Sequence, residues 1–562
     1  MNTEELRHLV DAVAASATNW HLLAMQLQRP PGGPNDPIPA LVGAFYYMLY
    51  PITEEAGREA WGPFAPVFES PQGVFPPPLA KVEDRWLTLW ADLAQASTSP
   101  VVCSRLHDLL WERRWSPRPD LHARQAIDSY VALNGSSWTS LDRAFGLIRA
   151  LELARAVKDD ERLATVVAAC EKGARESMMA SSPEPGVALR LVRALTWLPP
   201  DLQPASVDDL LAEAERVYGA DPYHFASIVD LKVSRSHDAA FVRQLRVQEV
   251  RQWCQRASET AGLLRFSHLQ SALEAARNYG LSDLADEIRR DMQKVDLGLK
   301  QVEATVPIST EQVDALISTV VDTDDWRTSL RRFGVYGPPS GDVKKNIVAV
   351  EQQMQASPLQ YLVTKTVLGP GNVPIRVVSS EADHRDVALS EYEKMGISLW
   401  SLFAAEVLDR MFGRHGVPEL TALTEFFTTP LMPLDVAERV AQAVLLYSQG
   451  HFDESAHILV PRLEATIRTI ARECELATFR EPQGAKPGGV RALGELLLAM
   501  KERIDESWRR YLWNLLCDPI GVNLRNRLAH GLLPKADKKE AALHIHVACP
   551  LSLIKVGEDE TP

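Results

Sequence analysis

No CxxC pair occurs in this sequence of 562 residues, and its six cysteines, Cys103, Cys170, Cys254, Cys474, Cys517 and Cys549, lie far apart. That scatter excludes a disulfide framework and a zinc site of the usual ligand spacing, and the expectation is reduced, mostly buried thiols. No stretch of about 18 apolar residues occurs either, so no membrane-spanning helix is expected. Met1 to Val10 carries Glu4, Glu5 and Arg7 where a secretory leader would carry a basic run followed by an apolar one. A soluble, cytoplasmic protein without membrane contact is the expectation. The local signatures HExxH, GxSxG and GxxxxGK[ST] are also missing, which leaves zinc-protease, serine-hydrolase and P-loop readings without their sequence basis.

A surplus of positive charge is missing as well. Asp and Glu number 74 against 60 Lys and Arg, for a formal net charge of −14, which argues against a nucleic-acid binder that uses its whole surface. Any site for a polyanion must be local, and residues 461–540 reverse the balance with 15 Lys and Arg against 11 Asp and Glu. Arg509, Arg510, Lys535, Lys538 and Lys539 contribute to that surplus. They read either as ordinary solvated helix surface or as phosphate-tracking groups. What the chain does hold is material for folding: 46% hydrophobic and 24% charged residues are globular proportions, and the length allows several cores or an extended helical array.

The pattern along the chain is mainly α. Residues 2–29 read as helix, and the run Pro30–Pro34 is a loop because proline fixes φ and lacks the amide. A second break at Pro71–Pro78 precedes Trp86, Leu89 and Trp90 at helical spacing, which read as core. From Ser140 to about Val295 the grammar is helix, polar turn, helix, as where Leu269 and Leu273 lead to Asn278-Tyr279-Gly280 and Ser282 opens a helix carrying Leu284 and Ile288. With no fixed period of about 34 or 40 residues, this predicts an irregular α-solenoid-like N-terminal region that offers a surface to a protein partner or activator. Tyr361–Leu368 and Val373–Val378 predict a small β-hairpin around Gly369-Pro370-Gly371-Asn372, and helical spacing returns near Ser390. The expected division is 1–135, 136–355, 356–432 and a helical bundle over 433–562.

Within that bundle the spacing predicts helices over 435–448 and 453–474, a loop over 481–489, and one long helix over 493–517. Asp518 as N-cap, Pro519 at the first position and Gly531 as stop then predict a short helix over 519–530. On such a helix Ile520, Leu524 and Leu528 form the anchoring stripe, while Asn523, Asn526 and His530 share the opposite side. Arg525 lies between the faces, so a guanidinium fork and an imidazole are available to one phosphate. The same residues also have ordinary readings: a histidine at a helix C-terminus suits the helix dipole, and Arg525 suits an ion pair with a neighbouring helix, Glu464 being the candidate.

The run Arg525-Asn526-Arg527-Leu528-Ala529-His530-Gly531 resembles the R-N-x3-H signature of the HEPN superfamily, and especially its domain-of-unknown-function family with RNxxxHG. The resemblance covers about the last 130 residues, including Gly450-His451-Phe452, Pro461-Arg462-Leu463-Glu464, Arg468 and Leu493-Gly494-Glu495-Leu496-Leu497. It implies an endoribonuclease that acts on RNA without metal or cofactor, as a homodimer whose motif helices meet, with Arg525, Asn526 and His530 as catalytic residues. A role in bacterial stress or antiviral defence fits the superfamily. HEPN-like domains also serve as non-catalytic dimerisation or nucleotide-binding modules, and that reading stands beside the enzymatic one.

Two other groups carry weaker signals. His544-Ile545-His546 lies in an alternating apolar stretch that predicts a strand with both histidines on one face, without a third ligand at metal-binding spacing. Asp322, Asp324 and Asp325 precede Trp326 without the glycine and distal glutamate of a calcium loop, and predict a helix N-cap instead.

Overall fold

The computed structural model describes residues 3–554 apart from 30–32, 34–35, 53–59, 71–72, 136, 299–308, 370–371 and 485–486. Most of the Pro30–Pro34 loop, residues 370–371 of the hairpin connection and residues 485–486 of the 481–489 loop therefore lie outside the described residues. The fold is mainly α, and each sheet is a two-stranded antiparallel pair. Among the described residues no helix is long and apolar enough to cross a membrane. The chain forms two compact units, 1–298 and 299–562.

In the N-terminal unit the expected single helix over 2–29 is two, Thr3–Ser16 and Trp20–Leu27. The Asn19 side chain accepts from the Leu22 amide and starts a new helix, because a short polar side chain next to free amides competes with helix continuation. Two hairpins, Met48–Ile52 with Ala60–Ala65 and Phe68–Ser70 with Gly73–Phe75, precede the helix Asp84–Ala96. Trp90 is buried there as expected, whereas Trp86 is only partly buried under the Arg85 guanidinium. Helices from Pro100–Glu112 through Ser282–Gln293 then pack chiefly on their neighbours in sequence. The turn at Asn278-Tyr279-Gly280 is present, with Gly280 at φ +67°, but the cap position before Ser282–Gln293 is Leu281 and Ser282 is its first residue.

The C-terminal unit is built around the helix Lys538–Leu553, which contacts Trp326–Val335, Glu381–His415, Leu434–Ser448 and Phe452–Glu473. Surrounded in this way, it is buried on every side from Ala541 to Cys549. That explains the misleading alternation at 544–546, because a helix apolar all round has no period to read. The expected strand is therefore a helix, and its two histidines point in different directions. The His544 ring nitrogen Nδ1 lies 2.8 Å from the Glu540 carbonyl and His546 Nδ1 lies 3.0 Å from the Tyr511 hydroxyl. Among the described residues no cluster of three or more His, Cys, Asp or Glu side chains able to hold a metal ion occurs.

Burial pushes the pKa of His544 down to about 4 and that of His546 down to about 3. In the unfolded chain both rings titrate near 6.5. Between about pH 6.5 and 4 the unfolded chain thus binds more protons, so stability rises with pH across this window and is lost on acidification. Calorimetric melting midpoints should fall steadily from pH 7 to 4.5, and His544→Leu should flatten that slope; an unchanged slope in the variant would show that the ring is already protonated in the fold.

The remaining elements match the expected order with three shifts. The hairpin pairs Lys365–Leu368 with Pro374–Val378. The next helix begins at Glu381 and runs 35 residues to His415, earlier than Ser390, because the Ser380 hydroxyl caps it. The expected long helix over 493–517 is two, Leu493–Ala499 and Glu506–Leu516, separated by a turn in which Glu502 takes φ +67° and Asp505 caps the second helix through the Trp508 amide. Asp325 caps Trp326–Val335 through the Thr328 amide, as the acidic cluster predicts.

Candidate functional site

The motif is reached through a tight turn and not through the expected helical turn at Pro519. Helix Glu506–Leu516 ends at Cys517; the Asp518 carboxylate then accepts from the Ile520 amide at 3.0 Å and the Asp518 carbonyl accepts from the Gly521 amide at 3.0 Å. Asn514, fully buried, organises the rest of the turn. Its side-chain oxygen accepts from the Val522 amide at 3.3 Å, its carbonyl accepts from the Asn523 amide at 3.1 Å, and its side-chain nitrogen donates to the Ser390 carbonyl at 2.8 Å. Gly521 passes so close that a Cβ there would stand 2.5 Å from the Asn514 carbonyl oxygen, so only glycine fits. Asn523 closes the turn in the left-handed region at φ +54°, and the motif helix is Leu524–Ala529.

This displaces the helix start but leaves the anchoring residues buried. Leu524 and Leu528 enter the main core of the unit, whereas Ile520 packs with Val378 and Val387 beside the hairpin. Gly531, at φ +65°, ends the helix as expected.

The structure brings Arg525 and Asn526 together. Arg525 Nε and Nη2 donate to one oxygen of Glu464 at 3.1 and 2.9 Å, and Nη1 donates to the Asn526 side-chain oxygen at 2.7 Å. Asn526 in turn donates to Asn523 Oδ1 at 2.7 Å. The other Glu464 oxygen accepts from Arg468 at 2.8 Å, so one carboxylate lies between two guanidinium groups and the cluster keeps a net positive charge. The Arg525 side chain is 25% exposed. Two of the five N–H groups of a guanidinium remain without an acceptor among the described residues. The Glu464 pairing expected for a structural arginine is thus present, in a geometry that orients the fork without using all of it. Nearby, burial pushes the Cys517 thiol up to about 12, with Arg525 opposing the shift, which makes it a poor nucleophile.

His530 is placed differently. It is the C-cap residue, its amide donates to the Asn526 carbonyl at 3.0 Å, and its ring is exposed with no hydrogen bond to the described residues. Of the three candidate residues, two form one bonded unit and the third stands free one turn away on the same short element.

The basic surplus divides unevenly. Arg509 is buried, held by both oxygens of Glu506 at 2.6 and 2.7 Å and bonded to the Leu497 carbonyl. Arg510 grips Glu393 with two bonds of 2.5 and 2.9 Å. Neither is solvated surface or a phosphate-tracking group, and Lys538 pairs with Asp409. Lys535 and Lys539 are exposed. Sequence reasoning missed Asn514 and Glu393, whose partners Ser390 and Arg510 lie more than a hundred positions away from them and leave no local signal. Beside the turn, a cleft of about 700 Å³ is lined by Ile375, Lys394, Gly521, Asn523, Arg527 and Lys539 among others.

Comparison with family models, with curated proteins and with solved structures returned no match. The resemblance to HEPN domains therefore rests on the sequence motif alone.

Proposed function

We propose that the C-terminal unit is a HEPN-type endoribonuclease that works without a metal ion and as a homodimer, with a role in bacterial stress or antiviral defence. One observation carries the reading: a six-residue helix holds a guanidinium clamped by Glu464 and Asn526 with donors to spare, and ends in an exposed imidazole. In this reaction the ribose 2′-hydroxyl gives up its proton as its oxygen attacks phosphorus, the bond to the 5′-oxygen breaks, and the leaving oxygen takes up a proton. His530 moves that proton as general base or acid. Arg525 stabilises the charge that develops on the phosphoryl oxygens. Asn526 fixes the guanidinium plane from one side as Glu464 does from the other. A single cluster covers a scissile phosphate from one direction, and a two-fold related motif helix supplies the other.

The Glu464–Arg525 ion pair also favours a second reading, in which the arginine is structural and the bundle is a dimerisation or RNA-binding module without catalysis. The deciding experiment incubates the purified full chain with single-stranded RNA in excess chelator, with cell extract added in parallel to supply any activator. Fragments ending in a 2′,3′-cyclic phosphate and beginning with a 5′-hydroxyl support the nuclease. RNA left intact in both incubations favours the module.

A further inference from the structure

In the N-terminal unit the guanidinium of Arg105 is buried with more donors than acceptors. Arg105 lies on the helix Pro100–Glu112 and is 4% exposed. Its Nη1 donates to the Tyr47 carbonyl at 2.9 Å, while Nε is buried with no acceptor among the described residues. None of those residues places a carboxylate at ion-pair distance from it. The nearby Asp108 is engaged by Arg149 at 2.8 Å and by the Tyr130 hydroxyl at 2.8 Å. What surrounds Arg105 instead is aromatic: its guanidinium carbon lies 4.5 Å from the centre of the Trp20 ring and 4.8 Å from that of Phe64. Ring faces stabilise a cation, but they do not satisfy N–H donors. Burial also works against the charge and lowers its pKa. A buried cation in this condition is strongly disfavoured unless a counter-charge reaches it.

The same side chain lines a cleft of about 830 Å³ whose walls include Trp20, Leu22, Tyr46 and Phe145. That is the size of a small-molecule site. A second guanidinium, Arg190, stands on the lining 5.1 Å from the centre of Phe145. The one carboxylate among the described lining residues is Asp142, which accepts from the Thr139 hydroxyl and whose pKa burial raises. The described lining is therefore net positive and mostly apolar, and Arg105 is its most buried charged group.

We propose that this cleft binds a small aromatic monoanion, its ring between the aromatic walls and its carboxylate against the Arg105 guanidinium that lines it. A carboxylate there supplies an acceptor and a counter-charge in direct contact, and charge-assisted bonds are the strong kind. Ring and charge are both required, so affinity for the neutral analogue of the same ring should be much lower.

Isothermal titration of the full chain with 1-naphthoate, and separately with 1-naphthalenemethanol, tests this. The expected result is saturable binding of naphthoate at one site per chain, with the alcohol at least about ten-fold weaker because it cannot form the charged pair. Arg105→Met should remove that preference, leaving both probes equally weak. Leu22→Trp, which adds bulk to the wall from a half-buried position, should weaken naphthoate by at least about ten-fold, and it decides the matter if the methionine variant fails to fold by circular dichroism. Absence of saturable binding, equal affinity for acid and alcohol, or naphthoate affinity unchanged in either folded variant would overturn the proposal.

Discussion

Replacing His530 by alanine is expected to lower the rate of RNA cleavage by at least about a hundred-fold, the usual contribution of a positioned proton-transfer group, while leaving the melting temperature of the chain where it was. The second half rests on exposure, since the ring touches nothing that the fold needs and substitutions at such positions change stability by about 0.5 kcal/mol or less. Arg525→Lys should be comparably damaging to cleavage. An ammonium keeps the charge but cannot hold Glu464 with two N–H groups, meet Asn526 with a third and still face a phosphate. Because the arginine is only partly buried, its loss should cost stability about 1 kcal/mol. Initial rates on a labelled single-stranded RNA, measured beside thermal melts, separate the two effects. A His530→Ala protein that cleaves as fast as the wild type would remove the imidazole from the reaction.

A second large effect is expected far from the motif. Glu393 is fully buried on the 35-residue helix, and Arg510 binds both of its oxygens. Glu393→Ala would leave a buried guanidinium without its partner, which typically costs about 3–5 kcal/mol. Replacing both residues by apolar ones of similar volume, Glu393→Leu with Arg510→Met, should recover most of that loss, since a paired buried ion is weakly stabilising relative to a packed core. Urea unfolding of the three proteins checks this, and a single variant within about 1 kcal/mol of the wild type would mean that solvent reaches the pair.

Local chemistry was legible in the sequence and distant chemistry was not. The Asp325 cap, the strand pairing of 365–368 with 374–378, the glycine stop at 531 and the pairing of Arg525 with Glu464 each arise from neighbours in the chain or from one complementary charge on another helix. The helix expected to start at Pro519 fails because Asn514 takes the amides of Val522 and Asn523 for itself, a competition no pattern within 519–530 reveals. The split of 493–517 is a closer case: Asp505 is a good cap, but a run of helix-forming residues on both sides masks it. His544 and His546 read as strand residues because full burial erases the period from which face and element type are read. The anchoring residues Ile520, Leu524 and Leu528 are buried even though the element carrying them differs from the expected one, since apolar side chains seek the interior whichever backbone presents them.

Asn514 has a practical implication for how this protein can be cut. Its side chain ties the turn before the motif to the Ser390 carbonyl, just as Arg510 ties the same helix to Glu393. A fragment starting at residue 433, where the sequence pattern alone would open the bundle, would carry the whole RNxxxHG sequence yet lose both tethers, and with them the shape of the turn that presents it. Truncation libraries and domain fusions should keep the helix that starts at Glu381, and a short fragment that proves inert would report a severed support and say nothing about the chemistry of the motif.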